Sequence, residues 1–256
     1  MNPISGPKAL TDYILNQTAI KTKKSNLTLI LQGILAGMYI AIGAVGSLKV
    51  SASFAAPGLG DFLGAVVFPV GIIAIIAMQA ELYTSNCMIM TSVYAGKSKI
   101  KQIIKILSLV VFANLLGAIV ASALTVTSGL FSETAVNLLI DKAIYKVNLP
   151  VGQLFASAVF CNIIVCTGVC LVYGSKDEIV KIITLWLAIT VFVLSGTEHV
   201  VANMYYLFAA KFYGGALSAK GIIYNLFISG VGNFIGGGVV VASANYLLAY
   251  KTQGQG

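Results

Sequence analysis

His199 is the only histidine in the chain, and it directly follows Glu198 within Phe192–Met204, a stretch that otherwise reads as lipid-buried. An imidazole can hold or release a proton near neutral pH, so His199, with Thr84, is the expected proton relay of the site. A carboxylate and an imidazole at bilayer depth are costly unless paired, hydrated or enclosed in protein, so the pair marks a candidate functional site. A second polar interruption, Glu81-Leu-Tyr-Thr-Ser-Asn86, brings Thr84, whose hydroxyl could hydrogen-bond an imidazole or a passing solute. Glu81 and Glu198, each followed five residues later by Asn86 or Asn203, read as supports for broken helices, because a carboxylate there can accept N–H groups that lipid cannot satisfy. A structural histidine held by local backbone is the other reading of His199.

The elements that must position these groups are membrane spans. The chain is 58% hydrophobic and 9% charged, with a mean hydropathy of +0.94, well outside the range of soluble domains. Its net charge of +8 comes from lysine without a single arginine, which argues against nucleic acid as a partner. Cys87, Cys161, Cys166 and Cys170 all fall in apolar runs, and one histidine cannot complete a metal site with them, so no metal and no cofactor are expected.

Residues 1–25 fit an interfacial helix on the membrane surface, with a solvated tail as the alternative. Spans are expected at Leu27–Leu48, Ile106–Thr127, Val151–Tyr173 and Gly221–Tyr250, each free of charge. The run 62–96 is too long for one straight span and too short for two, which a helix broken near Leu82–Asn86 resolves. Ile182–Ala210 repeats the peculiarity around Glu198. Asn114-Leu-Leu-Gly117 and Asn233-Phe-Ile-Gly236 also match, one in the third span of each half. The reading is therefore an all-α polytopic protein: a single transmembrane domain of six helices in two inverted three-helix repeats, 26–130 and 147–251, with the second and fifth helices broken. Residues 133–150 read as an external connection. The lysine distribution puts both termini in the cytoplasm of a cell-membrane protein. Phe68 and Ile72, one turn apart, and Phe192, seven residues before His199, could form hydrophobic collars that block ions and pass neutral species.

Ser195-Gly196-x-Glu198-His199-x-x-Ala202-Asn203-Met204, Glu81-Leu82-Tyr83-Thr84 and Cys161-Asn162-x-x-Val165-Cys166 resemble the signatures of the formate/nitrite transporter family, which includes hydrosulfide channels. The resemblance spans all six helices and implies an aquaporin-like fold, a homopentamer with one pore per protomer, and transport of small monovalent anions of weak acids across the lipid bilayer. By that resemblance His199 matches the central pore histidine, Thr84 the threonine of the discontinuous second helix, and Lys146 the basic residue that attracts anions in the outer vestibule. Phe68, Ile72, Phe192 and Val165 match constriction positions. Thr197 stands where formate- and nitrite-type members commonly have an aromatic residue, which makes it the selectivity candidate and leaves hydrosulfide open beside formate and nitrite.

Two other classes are weaker. An aquaporin-like channel for water or small neutral solutes would use the same fold, but the paired Asn-Pro-Ala motif is absent. An intramembrane enzyme lacks His-Glu-x-x-His and Gly-x-Ser-x-Gly alike, so no enzymatic activity is expected.

Overall fold

A computed structural model describes residues 6–250; residues 1–5 of the expected N-terminal segment and Lys251 of the expected second repeat lie outside the described residues. α1 (Pro7–Lys21) precedes α2 (Asn26–Ala52), whose first turn is capped by the Ser25 hydroxyl accepting from the Thr28 N–H. α3 (Pro57–Val67) and α4 (Val70–Ala77) meet at Phe68-Pro69, where proline offers no N–H to continue the ladder. The chain then runs extended and resumes as α5 (Tyr83–Asn86), a 3₁₀ turn (Cys87–Met90) and α6 (Thr91–Tyr94). α7 (Ile100–Thr127), α8 (Glu133–Asn148) and α9 (Val151–Tyr173) are unbroken. α10 (Glu178–Leu194) and α11 (Val200–Phe212) form the second interrupted pair, and α12 (Ala219–Phe234) passes through a π-helical stretch, Ile235–Val241, into α13 (Ala242–Tyr250).

Five stretches are long and apolar enough to cross a bilayer: Asn26–Ala52, Gly58–Ala77, Ile100–Thr127, Val151–Tyr173 and Ala219–Tyr250. The remaining expected span is divided between α10, with 17 residues, and α11, with 13. At 1.5 Å per residue neither reaches the ~30 Å of a hydrocarbon core alone. The protein is a multi-pass, all-helical membrane protein.

One expectation needs correction. The first break falls at Met78–Leu82 rather than Leu82–Asn86, because Gln79 adopts a left-handed conformation (φ 51°) that stops α4, and helix restarts at Tyr83. Thr84 and Asn86 therefore sit in the first turn after the break. The expected external connection contains a helix over Glu133–Asn148, with Ala135, Leu139 and Ala143 at four-residue spacing burying one face.

Close backbone approach fixes the scaffold. A Cβ on Gly37 would lie 2.1 Å from the Asn114 carbonyl oxygen, and one on Gly117 would lie 2.0 Å from that of Ile34, so α2 and α7 touch backbone to backbone. α2 runs from the face that carries α1 towards the face that carries α8, while α9 starts beside α8 and returns. At the bend between α3 and α4, the Trp186 indole N–H donates to the Val66 carbonyl at 2.7 Å, giving a partner to an acceptor in the last turn of α3.

Gly117→Ala should push the two helices apart and cost about 1–3 kcal/mol of stability, the usual range for overpacking. The thermal midpoint of the purified protein in detergent is expected to fall by several degrees, while Gly152→Ala, where an added Cβ meets nothing within 4 Å, should leave it unchanged.

Candidate functional site

The two interruptions share one wiring scheme. In the first half, the Asn114 carboxamide accepts from the Tyr83 N–H at 2.9 Å and donates to the carbonyls of Gly33 (2.8 Å) and Glu81 (2.9 Å). In the second, Asn233 accepts from the Val200 N–H at 2.8 Å and donates to the carbonyls of Ala158 (2.7 Å) and Glu198 (3.0 Å). Each asparagine ties a restarting helix to its interrupted strand and to a neighbouring span. Two further amides are met outside the helices: the Glu81 N–H donates to the Gln32 carbonyl and the Glu198 N–H to the Ser157 hydroxyl. A left-handed residue precedes each glutamate by two positions, Gln79 in one half and Gly196 (φ 63°) in the other. Glycine adopts this conformation freely; Gln79 does not, and its carbonyl is held by the Gln32 side chain at 3.0 Å.

The carboxylates do something other than expected. They do not take the freed backbone N–H groups of Tyr83 and Val200, which go to Asn114 and Asn233. A buried carboxylate is stabilised far more by a cation than by a neutral amide. Glu81 is paired with Lys21 and, at 2.6 Å, with Lys24, and it accepts from the Asn86 carboxamide at 2.7 Å. Glu198 is paired with Lys146 at 2.8 Å and accepts from Asn203 at 2.7 Å. Lys146 is thus an ion-pair partner, its side chain 13% exposed against 1% for Glu198, with Nζ 5.7 Å from the centre of the Tyr206 ring. Lys21 and Lys24 went unnoticed in the sequence because lysines on an amphipathic segment look solvated. The equivalence of Glu81 and Glu198 is the signal that could have found them. Burial lowers the pKa of Lys21, and the Glu81 carboxylate opposes that shift.

Each pair borders a cavity. One, of about 220 Å³ on the α8 face, is lined by Lys142, Lys146, Asp61, Thr197 and Glu198 and reaches Phe68 and Phe192. The other, of about 540 Å³ on the α1 face, is lined by Lys21, Lys24, Glu81, Ser85 and Lys181 and reaches Ile75, Ile76 and Val172. α10 spans the distance between them, its first turn at the second cavity and its last at the first.

Between the cavities the path is closed by apolar side chains around one polar pair. The Phe68 and Phe192 rings meet edge to face with centroids 6.0 Å apart, and the Phe192 ring lies 5.5 Å from the His199 imidazole. Thr84 Oγ1 and His199 Nε2 are 2.9 Å apart, and both residues are buried. Ile72 and Val165 are buried in the same core, Ile72 one turn beyond Phe68 towards Ile75. Thr197 is half-buried, its hydroxyl donating to the Phe192 carbonyl at 3.4 Å. The tautomer of His199 follows from its bonds: Nδ1 accepts from the Ala202 N–H at 3.2 Å, so in the neutral ring the proton is on Nε2 and is donated to Thr84. The Thr84 hydroxyl proton is then available to a solute. Among the described residues, no group of three or more His, Cys, Asp or Glu could hold a metal ion.

Residues 8–247 match the family described as Formate/nitrite transporter. The chain belongs to the formate/nitrite transporter family. It is 32% identical to the uncharacterized transporter YrhG of Bacillus subtilis (strain 168), over 95% of this chain and 93% of that one. It is 29% identical to the formate channel BtFdhC of Bacillus thuringiensis, over 96% of each. A solved pentameric formate channel with formate bound superimposes with a TM-score of 0.76 at 27% identity, covering 88% of this chain and 98% of the other.

Lys146→Met should leave Glu198 buried without a cation and cost roughly 3–5 kcal/mol, whereas Lys146→Met combined with Glu198→Gln should recover most of that loss. Chemical unfolding of the three variants measures this. Equal losses in the single and double variants would mean that the lysine stabilises through packing alone.

Proposed function

We propose that the chain is a cell-membrane channel for small monovalent anions of weak acids, formate, nitrite or hydrosulfide, which cross the central segment as the neutral acid. The observation that carries this reading is a single polar pair, Thr84 and His199, set between apolar collars that separate two lysine-bearing cavities. The formate channels among its relatives support formate as a substrate, and the pentameric channel supports a homopentamer with one path per protomer. The lysine excess on the α1 face supports a cytoplasmic location for both termini.

An anion is drawn to a cavity by the surrounding lysines. The α1-face cavity has three of them, Lys21, Lys24 and Lys181, against Glu81 and Glu178. Passing Phe68 and Phe192 with its charge exposed would cost the anion its hydration, which apolar rings do not replace. Protonation removes that barrier. With Nδ1 occupied by the Ala202 N–H, His199 has no room for a second proton without losing its helix cap, so we assign the proton to water in the cavity. The imidazole and Thr84 then act as a hydrogen-bonding station: Nε2–H holds the threonine oxygen, and the threonine O–H is offered to the solute midway. Thr197, beside Phe192 at the cavity floor, is the residue that sets how bulky or polar an acid can enter.

Stopped-flow flux in liposomes tests this with formate, nitrite, hydrosulfide and chloride at pH 6 and pH 8. Weak-acid flux should rise as pH falls, and chloride should remain slow at both. Thr84→Val and His199→Asn each remove a buried hydrogen-bond partner, worth about 1–3 kcal/mol, so each should slow weak-acid flux by roughly 10- to 100-fold. Wild-type rates and pH dependence in both variants for every anion would sink the station. Absence of any flux through intact protein, with osmotic swelling retained, would restore the neutral-solute channel.

A further inference from the structure

On the α1 face, four lysines fall within nine residues: Lys97, Lys99, Lys101 and Lys105. All four are exposed, and none of their ammonium groups forms an ion pair or hydrogen bond with the described residues. This contrasts with Lys21, Lys24, Lys142, Lys146 and Lys181, each of which has a carboxylate within reach. The nearest acid that Lys97 influences, Asp12, is already occupied: Tyr250 donates its hydroxyl to one oxygen, and Lys8 lies 3.2 Å from the other. The cluster is a patch of uncompensated positive charge.

We infer that this patch binds the headgroup phosphate of anionic phospholipids, with acyl chains lying along α7. Depth supports the assignment. α7 has 28 residues, about 42 Å at 1.5 Å per residue, against a hydrocarbon core of about 30 Å. Its first turn therefore stands in the headgroup layer. Lys101 and Lys105 are one turn apart on its surface, and Ile100 and Ile104, 42% and 51% exposed, form a parallel stripe beside them. A row of ammonium groups next to a row of exposed aliphatic side chains matches a phosphate joined to a hydrocarbon tail. Aromatic side chains common at the water–lipid boundary stand nearby: α6 and α13 pack together there, with Tyr94 and Tyr246 ring centroids 6.4 Å apart. Lysines near an anionic leaflet contribute additively to lipid attraction. A soluble acidic protein would satisfy the charges but would leave the isoleucine stripe against solvent or lipid unchanged, so lipid is the occupant that uses both rows.

The test is native mass spectrometry of the delipidated full-length protein in neutral detergent, titrated with phosphatidylglycerol or phosphatidylcholine of matched chains. Wild type should bind phosphatidylglycerol at least tenfold more tightly than phosphatidylcholine. Replacing Lys97, Lys99, Lys101 and Lys105 together with Gln should abolish that preference, on the order of a 100-fold loss for four lysines near a charged headgroup. The corresponding fourfold Lys→Arg variant should retain it, and Lys176→Gln, on the same face but outside the cluster, should behave as wild type. Inorganic phosphate at equal concentration should fail to displace the lipid. Equal binding of the two lipids to wild type, undiminished phosphatidylglycerol binding by the Gln variant, or displacement by inorganic phosphate would each overturn the inference. Far-ultraviolet circular dichroism and unchanged weak-acid flux in neutral-lipid vesicles show that the Gln variant is folded.

Discussion

A backbone amide released by a broken helix at bilayer depth has no water to turn to, and everything else in this fold answers to that constraint. Asn114 and Asn233 answer it with one side chain per half. Each carboxamide accepts from the first N–H of a restarting helix and donates to two carbonyls, one on the interrupted strand and one on an adjacent span. No smaller polar residue offers both an acceptor and two donors, and no carboxylate offers the donors. The glycines one turn later, Gly117 and Gly236, permit the spacing, since a Cβ at either would fall 2.0 or 2.2 Å from a carbonyl oxygen of the facing span. Wiring and packing are therefore one device: the asparagine can reach its partners only because the glycine lets the helices close.

Once the backbone is satisfied in this way, the glutamates are free to hold cations. Glu81 gathers Lys21 and Lys24 from the N-terminal helix and its following turn, and Glu198 gathers Lys146 from α8. Two segments that lie outside the spans are thereby anchored to the two breaks. The position of α1 is set from both ends, by Glu81 at its C-terminus and by Asp12 with Tyr250 near its N-terminus. Charge placement in the cavities follows from helix docking rather than from free side chains reaching into solvent.

Much of this was legible in the sequence, and the reasons are specific. The recurrence of Glu-x-x-x-x-Asn and Asn-x-x-Gly in each half is legible because the same three-dimensional problem recurs, and identical hydrogen-bonding demands restrict the residues that solve it. Val151–Tyr173 is legible to the residue because Pro150 and Gly174 bracket an uninterrupted apolar run. The position of the first break was not, since Gln79 carries no glycine to announce its left-handed backbone. Lys21 and Lys24 gave no sign of burial, and Gln32 none of its support for Gln79, because contacts 47 to 60 residues apart leave no local pattern. The π-helical stretch Ile235–Val241 read only as a glycine-rich span, although it lets Gly237 pass against Cys166 and Cys87.

The two halves share the glutamate and the asparagine of each break but differ at the four positions between, and one difference sits at the centre: where the second half has His199 capping its restarting helix, the first has Leu82. The imidazole is thus supplied from a single direction, and its partner Thr84 belongs to the opposite half, two residues beyond the leucine. The frame is nearly a palindrome, while the chemistry at its centre reads one way. From the Lys146 cavity inward the order is Phe68 and Phe192 and then the imidazole, whereas the cavity beside Lys21 ends on Ile75, Ile76 and Val172. At equilibrium passage in the two directions must balance, as microscopic reversibility demands of any passive conduit. Away from equilibrium a conduit whose two ends present different side chains in a different order is under no obligation to pass both ways at equal speed.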